Sequence, residues 1–189
     1  MDYIDVLKLR RSVKKFALKS VSFQDVAEIC LAGTYAPMAG NIFTLKFIIV
    51  SDKEKIKLLA NASQQPFIAQ APYVIVVYSK TAQVVRSYGK RGEVYVRQQA
   101  GAAIENMLLR AVDLELSSCW IGWFDENIVK RILFLPDWAQ VEALLPIGYG
   151  QEKPIPKKKM DLKLITKFDH YGDTSDDRQI KSRRKNVFA

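Results

Sequence analysis

The chain has 189 residues, a formal net charge of +9, one histidine and two cysteines. Its 49% hydrophobic and 26% charged residues are the composition of a folded globular protein and exclude a wholly disordered chain. The single histidine, His170, and the distant pair Cys30 and Cys119 exclude a multi-histidine metal site, a CxxC pair and a zinc knuckle.

Two isolated cysteines fit a reduced, cytoplasmic chain better than a disulfide scaffold. The first five residues place Asp2 and Asp5 where a secretory signal carries positive charge. The longest apolar runs, Phe47–Val50 and Val74–Tyr78, are far short of a membrane span. The charge is uneven. Residues 151–189 carry 11 basic and 6 acidic residues, against 18 and 14 in residues 1–150. A solvated basic tail and a surface for phosphate, nucleic acid or an acidic partner are both open readings.

The spacing predicts a short amphipathic helix over Asp2–Arg10. Ser22 and Asp25 resemble a capping box, followed by Val26, Ile29, Cys30 and Gly33 at helical spacing. Tyr35–Asn41 contains proline and glycine and reads as a loop. Lys46–Ser51 is a strand candidate, and Asp52 a cap for a helix through Ala60. Pro72–Ser79, a continuous valine-rich run, is the clearest strand. Thr81–Gly92 reads as a polar connector or a lid. Glu93–Leu116 is a long helix with Ala100, Ala103, Ile104, Met107, Leu108 and Ala111 as its apolar stripe. Ser118–Phe124 is expected as a strand, with Trp120 and Trp123 on opposite faces and one of them in the core. A short helix over Glu126–Leu133 is expected to end near Pro136. Val141–Tyr149 is a fourth strand that Pro146 is expected to break. The sum is a mixed α/β or α+β layer fold, with residues 1–150 as one domain and residues 151–189 as its extended basic arm.

Arg10-Arg11-Ser12-Val13-Lys14-Lys15 packs four cations and a hydroxyl into six positions after a helix. Arginine forks and serine hydroxyls suit phosphate oxygens, though a solvated helix end has the same look. No GxGxxG or GxxxxGK[ST] loop is present. Cys119 reads as a small buried hydrophobe. His170 reads as an anchor for the arm. Arg86, Lys90 and Arg91 suit either solvent or the phosphates of a nicotinamide cofactor.

Several segments taken together resemble the nitroreductase family of FMN-dependent oxidoreductases. Arg10-Arg11-Ser12 with Phe16 is similar to that family's opening signature. Ala36-Pro-Met-Ala-Gly-Asn41 resembles its small-residue loop ending in asparagine. Gln99–Leu109 resembles its central helix. Leu116-Ser-Ser-Cys-Trp-Ile-Gly122, Phe124-Asp-Glu126 and Leu133-Phe-Leu-Pro136 match the next strand and helix. Ala143–Gly150 and Lys157-Lys-Lys159 resemble the closing strand and basic tail. The matches follow family order from residue 2 to about 171.

The resemblance implies an α+β fold: a central mixed or antiparallel sheet flanked by helices. It also implies a homodimer with FMN at the interface, and a C-terminal arm reaching the partner. It implies that Arg10, Ser12 and Lys14, with Arg11 beside them, hold the FMN phosphate and ribityl chain. Asn41 would hydrogen-bond the flavin, and Ile121 and Gly122 would lie beside the isoalloxazine ring with backbone groups facing it. Lys159, with Lys157 or Lys158, would return to the phosphate. NADH or NADPH would supply electrons for a nitroaromatic, quinone, flavin or activated alkene. No catalytic side chain and no metal site are expected. The chain departs from the family pattern at Lys14, Phe43–Leu45, Gln99 and Trp123. Two rivals stay open: an FMN carrier or sensor with little turnover, and a basic nucleic-acid binder, for which no recognition-helix or RRM pattern appears.

Overall fold

The computed structural model describes residues 1–152 and 159–172. The chain divides into a body, Met1–Pro154, and a second unit, Ile155–Ala189. Lys157 and Lys158 lie outside the described residues, as does much of the expected arm. Among its described residues the second unit holds one short helix, α7 (Leu162–Ile165), with Lys159 and His170 both exposed.

The body is built on four strands, β1 (Leu45–Val50), β2 (Tyr73–Ser79), β3 (Ser117–Ser118) and β4 (Gln140–Gly148), in the order β1-β2-β4-β3. All three pairings are antiparallel. The period-two alternation of strand side chains sorts the apolar residues to two faces. Ile75 and Val77 of β2 and Leu145 and Ile147 of β4 enter one core cluster. Val74 and Val76 of β2 and Leu144 of β4 enter the other. Burial on both faces explains why β2 reads as an unbroken apolar run.

The first face is covered by α2 (Phe23–Thr34) and α5 (Arg91–Asp113), which supply Val26, Ile29, Ala100, Ala103, Ile104 and Met107. The second is covered by α3 (Lys53–Ala62) and α6 (Glu126–Leu133), through Ile56, Leu59 and Val129. Side-chain caps start three of these helices. Ser22 Oγ accepts from the Gln24 amide, Asp52 from Lys55 and Asp125 from Ile128. The two helices α2 and α5 approach closely at Gly33, where an added Cβ would lie 3.0 Å from Met107 Sδ and from the Phe47 ring.

The helix α6 covers Glu126–Leu133 as expected and is closed by Phe134, whose φ of 53° is left-handed. Three expectations change. Residues 82–88 form a helix, α4 (Ala82–Tyr88), rather than a loop. It sits on α5 because Gly92 lets the backbones meet: a Cβ there would lie 2.7 Å from Val84 O. Pro146 does not break β4, which runs unbroken from Gln140 to Gly148. Instead the strand expected over 118–124 shrinks to Ser117–Ser118 and a lone bridge from Ile121 to Leu144. The register places Cys119 opposite Pro146, which has no N–H to give its carbonyl.

Candidate functional site

A short helix, α1 (Tyr3–Leu9), ends where the Arg10 amide donates to Val6 O at 3.0 Å. The basic segment then runs along the sheet edge. Ser12 bridges Ser118 in parallel, and the Val13 amide donates to Ser118 O at 3.0 Å. Phe16 is buried as the anchor of this segment. Its amide donates to Gln70 Oε1 at 3.1 Å, and Gln151 Nε2 donates to its carbonyl at 2.9 Å. Phe16 thereby pins the basic segment to the rim of the sheet.

The cations have different tasks. Arg10 Nε lies 3.1 Å from Glu105 Oε1 on α5. That contact engages the Nε edge of the guanidinium, so the Arg10 charge is already partly paired. Arg11 donates to Arg10 O at 2.7 Å. Lys15 pairs with Glu152 at 2.9 Å, which raises the Lys15 pKa and lowers that of Glu152. Lys14 Nζ stands 5.7 Å from the Phe67 ring centroid.

Cys119 lies beside both Ser12 and Lys14. Burial pushes its thiol pKa up, and the Ser12 hydrogen bond and the Lys14 charge oppose that shift. A raised thiol is a poor nucleophile. Cys119 therefore offers no reactive thiol beside Ser12 and Lys14. Next to them Ser118 Oγ is buried with no hydrogen-bond partner among the described residues. Native interiors leave few such atoms, so this hydroxyl suits a polar ligand at the rim.

The expected loop residue Asn41 is exposed on a tight turn, Ala39–Asn41. Behind the turn, Gln99 of α5 is buried. Its Oε1 accepts from Thr44 Oγ1 at 2.5 Å and from the Thr44 amide at 3.4 Å. Thr44 and Gln99 are two of the positions where the chain departs from the family pattern, and they contact each other. Gln99 Nε2 has no partner among the described residues, a second buried donor near the candidate site. The pairing was not evident from sequence, because 55 positions separate the two residues.

Ile121 is buried, and its N–H and C=O both pair with Leu144 at 3.0 Å. Its backbone is committed to the sheet, leaving Gly122 as the exposed member of that pair. Trp120 and Trp123 are both exposed, at 40% and 75%, so neither is the core residue expected. The ladder gap at Pro146 explains this: residues outside a pleated strand lose its strict alternation. Trp120 flanks Gly122, its Nε1 being 3.8 Å from where a Cβ would stand. Arg86, Lys90 and Arg91 are all exposed, around the junction of α4 and α5. Among the described residues no helix is long and apolar enough to cross a membrane.

The comparisons with known proteins agree with this architecture. The profile of the nitroreductase family matches residues 7–65 and 59–149. A Streptococcus pyogenes protein, provisionally named an NAD(P)H nitroreductase, is 27% identical over 194 residues, covering 85% of this chain and 96% of its own. The crystal structure of a nitroreductase family protein from Clostridium novyi NT superposes with a TM-score of 0.73 at 28% identity, covering 92% of this chain and 96% of that one. An FMN-dependent nitroreductase from Clostridium difficile R20291 gives a TM-score of 0.77 at 26% identity, covering 89% and 99%. The chain belongs to the nitroreductase family.

Proposed function

We propose that the protein is an FMN-dependent NAD(P)H oxidoreductase acting on a small acceptor such as a nitroaromatic, quinone or flavin. The observation that carries this reading is the basic segment laid along the sheet edge, where Ser12 bridges Ser118, whose buried hydroxyl has no partner among the described residues, and where Ser12 and Lys14 flank Cys119. These residues offer a phosphate monoester two cations and two hydroxyls, with one carboxylate, Glu105, paired to the Nε of Arg10. The relatives named as NAD(P)H and FMN-dependent nitroreductases support the same cofactors.

In the proposed site Arg10 and Lys14 neutralise the phosphate, and Ser12 and Ser118 donate hydrogen bonds to it, with Arg11 beside them. Asn41 reaches the flavin from its turn. Ile121 and Gly122 form the wall beside the ring, Gly122 with its exposed backbone and Ile121 by shape. Lys159 and Lys157 supply further positive charge from the second unit. FMN, when bound, supplies the hydride and electron chemistry. The protein's part is to orient and to exclude water, and Trp120 and Trp123 narrow the space near Gly122 and select flat acceptors. No side chain is assigned as acid or base.

A homodimer is part of the proposal, with the cofactor at its interface and residues 151–189 as the arm. Exposed Phe23 and Leu31 on α2, with Tyr35 after it, give apolar surface for a second copy. The free thiols of Cys30 and Cys119 support a reducing, cytoplasmic setting.

The test is a titration of the flavin-free chain with FMN and with riboflavin, which lacks the phosphate. Tight FMN binding with riboflavin weaker by on the order of a hundredfold supports the phosphate rim, since two charge-assisted contacts are lost. Equal affinities, or binding of neither, contradict it.

A further inference from the structure

The turn that carries Asn41 is strained and rests against Tyr88. Gly40 has φ 58° and Asn41 φ 56°, so two successive residues are left-handed. The Ile42 amide closes the turn on Ala39 O at 3.1 Å. Glycine enters this region freely, but asparagine does so only at a modest cost, and the surroundings must hold it there. One such support is visible. A Cβ built on Gly40 would lie 2.5 Å from Tyr88 Oη and 3.4 Å from its Cζ. The tyrosine hydroxyl thus occupies the notch that the missing side chain leaves.

The position of Tyr88 is itself fixed. It is the last residue of α4, whose backbone is pinned to α5 at Gly92. Its ring meets Tyr95 edge-on, with centroids 5.3 Å apart and an interplanar angle of 83°. The Arg91 guanidinium lies 5.7 Å from the Tyr95 ring centroid. No hydrogen bond engages the Tyr88 hydroxyl among the described residues, so packing alone seats it. Nothing in the fold of α4 or α5 needs that oxygen.

We propose that Tyr88 is a positioning residue for the flavin site: by filling the notch at Gly40 it holds the Asn41 turn in the left-handed form from which Asn41 meets the flavin. This rests on the reading of Asn41 as a flavin ligand. It gives α4 a role in cofactor binding. It also fits the glycine before Asn41, because a side chain at position 40 would displace the tyrosine hydroxyl and would sit at a φ of 58° that favours glycine.

The experiment measures FMN affinity by flavin fluorescence, together with the bound flavin's visible spectrum, on the full chain. Gly40→Ala is expected to weaken FMN binding on the order of tenfold or more, through left-handed strain and the clash with Oη. Adding Tyr88→Phe removes only the clashing atom and is expected to recover several-fold of the lost affinity. Tyr88→Ala is expected to weaken FMN several-fold and to shift the flavin band, with circular dichroism unchanged. The inference is overturned if the double variant binds no better than Gly40→Ala, or if Tyr88→Ala keeps the wild-type affinity and spectrum. Asn41→Ala separates the two readings. If it weakens FMN while the Gly40–Tyr88 coupling is absent, only this inference fails. If it leaves FMN binding intact, the assignment of Asn41 fails and this inference with it.

Discussion

Cys119 stands opposite Pro146 in the β3–β4 register, and the ladder stops at that pair. Pairing resumes only at Ile121 and Leu144. A proline in a central strand usually damages its own strand, yet β4 is intact here because the missing donor faces the short edge partner. The result is functional in position. The segment from Cys119 to Trp123 is held to the sheet only at Ile121, and Gly122 is exposed beside two tryptophans. Replacing Pro146 by valine is expected to let the new amide reach Cys119 O and to extend β3. Hydrogen exchange is the check: the amide of residue 146 gains protection, while global stability moves by no more than about 1 kcal/mol. Fast exchange at that amide would contradict this account of the gap.

The contact of α4 with α5 depends on Gly92. A Cβ there would lie 2.7 Å from Val84 O and 2.8 Å from Val84 C, both backbone atoms that cannot swing aside. Gly92→Ala is therefore expected to destabilise the body by about 1–3 kcal/mol, the usual range for overpacking. Because α4 carries Tyr88, FMN affinity should fall as well. Urea unfolding and flavin titration on one sample measure both effects.

The Thr44–Gln99 pair is expected to behave as a unit. Thr44→Val strands the buried Gln99 carbonyl from its hydroxyl donor and should cost about 1–3 kcal/mol. Combining Thr44→Val with Gln99→Leu removes the polar groups together and should recover most of that loss. A double-mutant cycle by urea denaturation reads the coupling. Additive losses would show that the pair does not interact in solution.

The two thiols are expected to be slow nucleophiles at neutral pH. Burial raises Cys30 from 9.0 to about 11 and also raises Cys119. For Cys30 the folded value lies above the unfolded one, so its contribution to stability is complete below pH 9 and is lost as pH rises toward 11. Alkylation by iodoacetamide should accelerate between those values rather than around pH 8. Rapid modification of the native protein at pH 7 would contradict the partial burial of Cys30 and the burial of Cys119.

Much of the fold was legible where one physical signal dominated. The β2 run and the apolar stripe of α5 declare themselves because burial on two faces and 3.6-residue spacing leave little ambiguity. Asp52 and Ser22 mark their helix starts by capping chemistry. The errors arose where a distant partner decided the outcome. The shortened β3 depends on Pro146, which is remote in sequence. The helix α4 is polar and weakly patterned, and is held by the close approach at Gly92. For the site, the cations of Arg10–Lys14 were visible as a cluster, but their division of labour was not. Glu105 takes the Arg10 Nε and Glu152 takes Lys15, and both are contacts across the chain. The Gly40–Tyr88 contact was equally hidden: the sequence shows a glycine and a tyrosine, and only the fold brings them together.

Redox chemistry on a bound flavin is read from the visible flavin absorption while the FMN-loaded chain is mixed anaerobically with NADH, and separately with NADPH. At least one donor is expected to bleach the flavin band within seconds to minutes, and a quinone or nitroaromatic to restore it. A chain that binds FMN but keeps its oxidised spectrum with both donors would be a flavin carrier rather than an oxidoreductase, and a chain that binds no FMN would contradict the whole assignment.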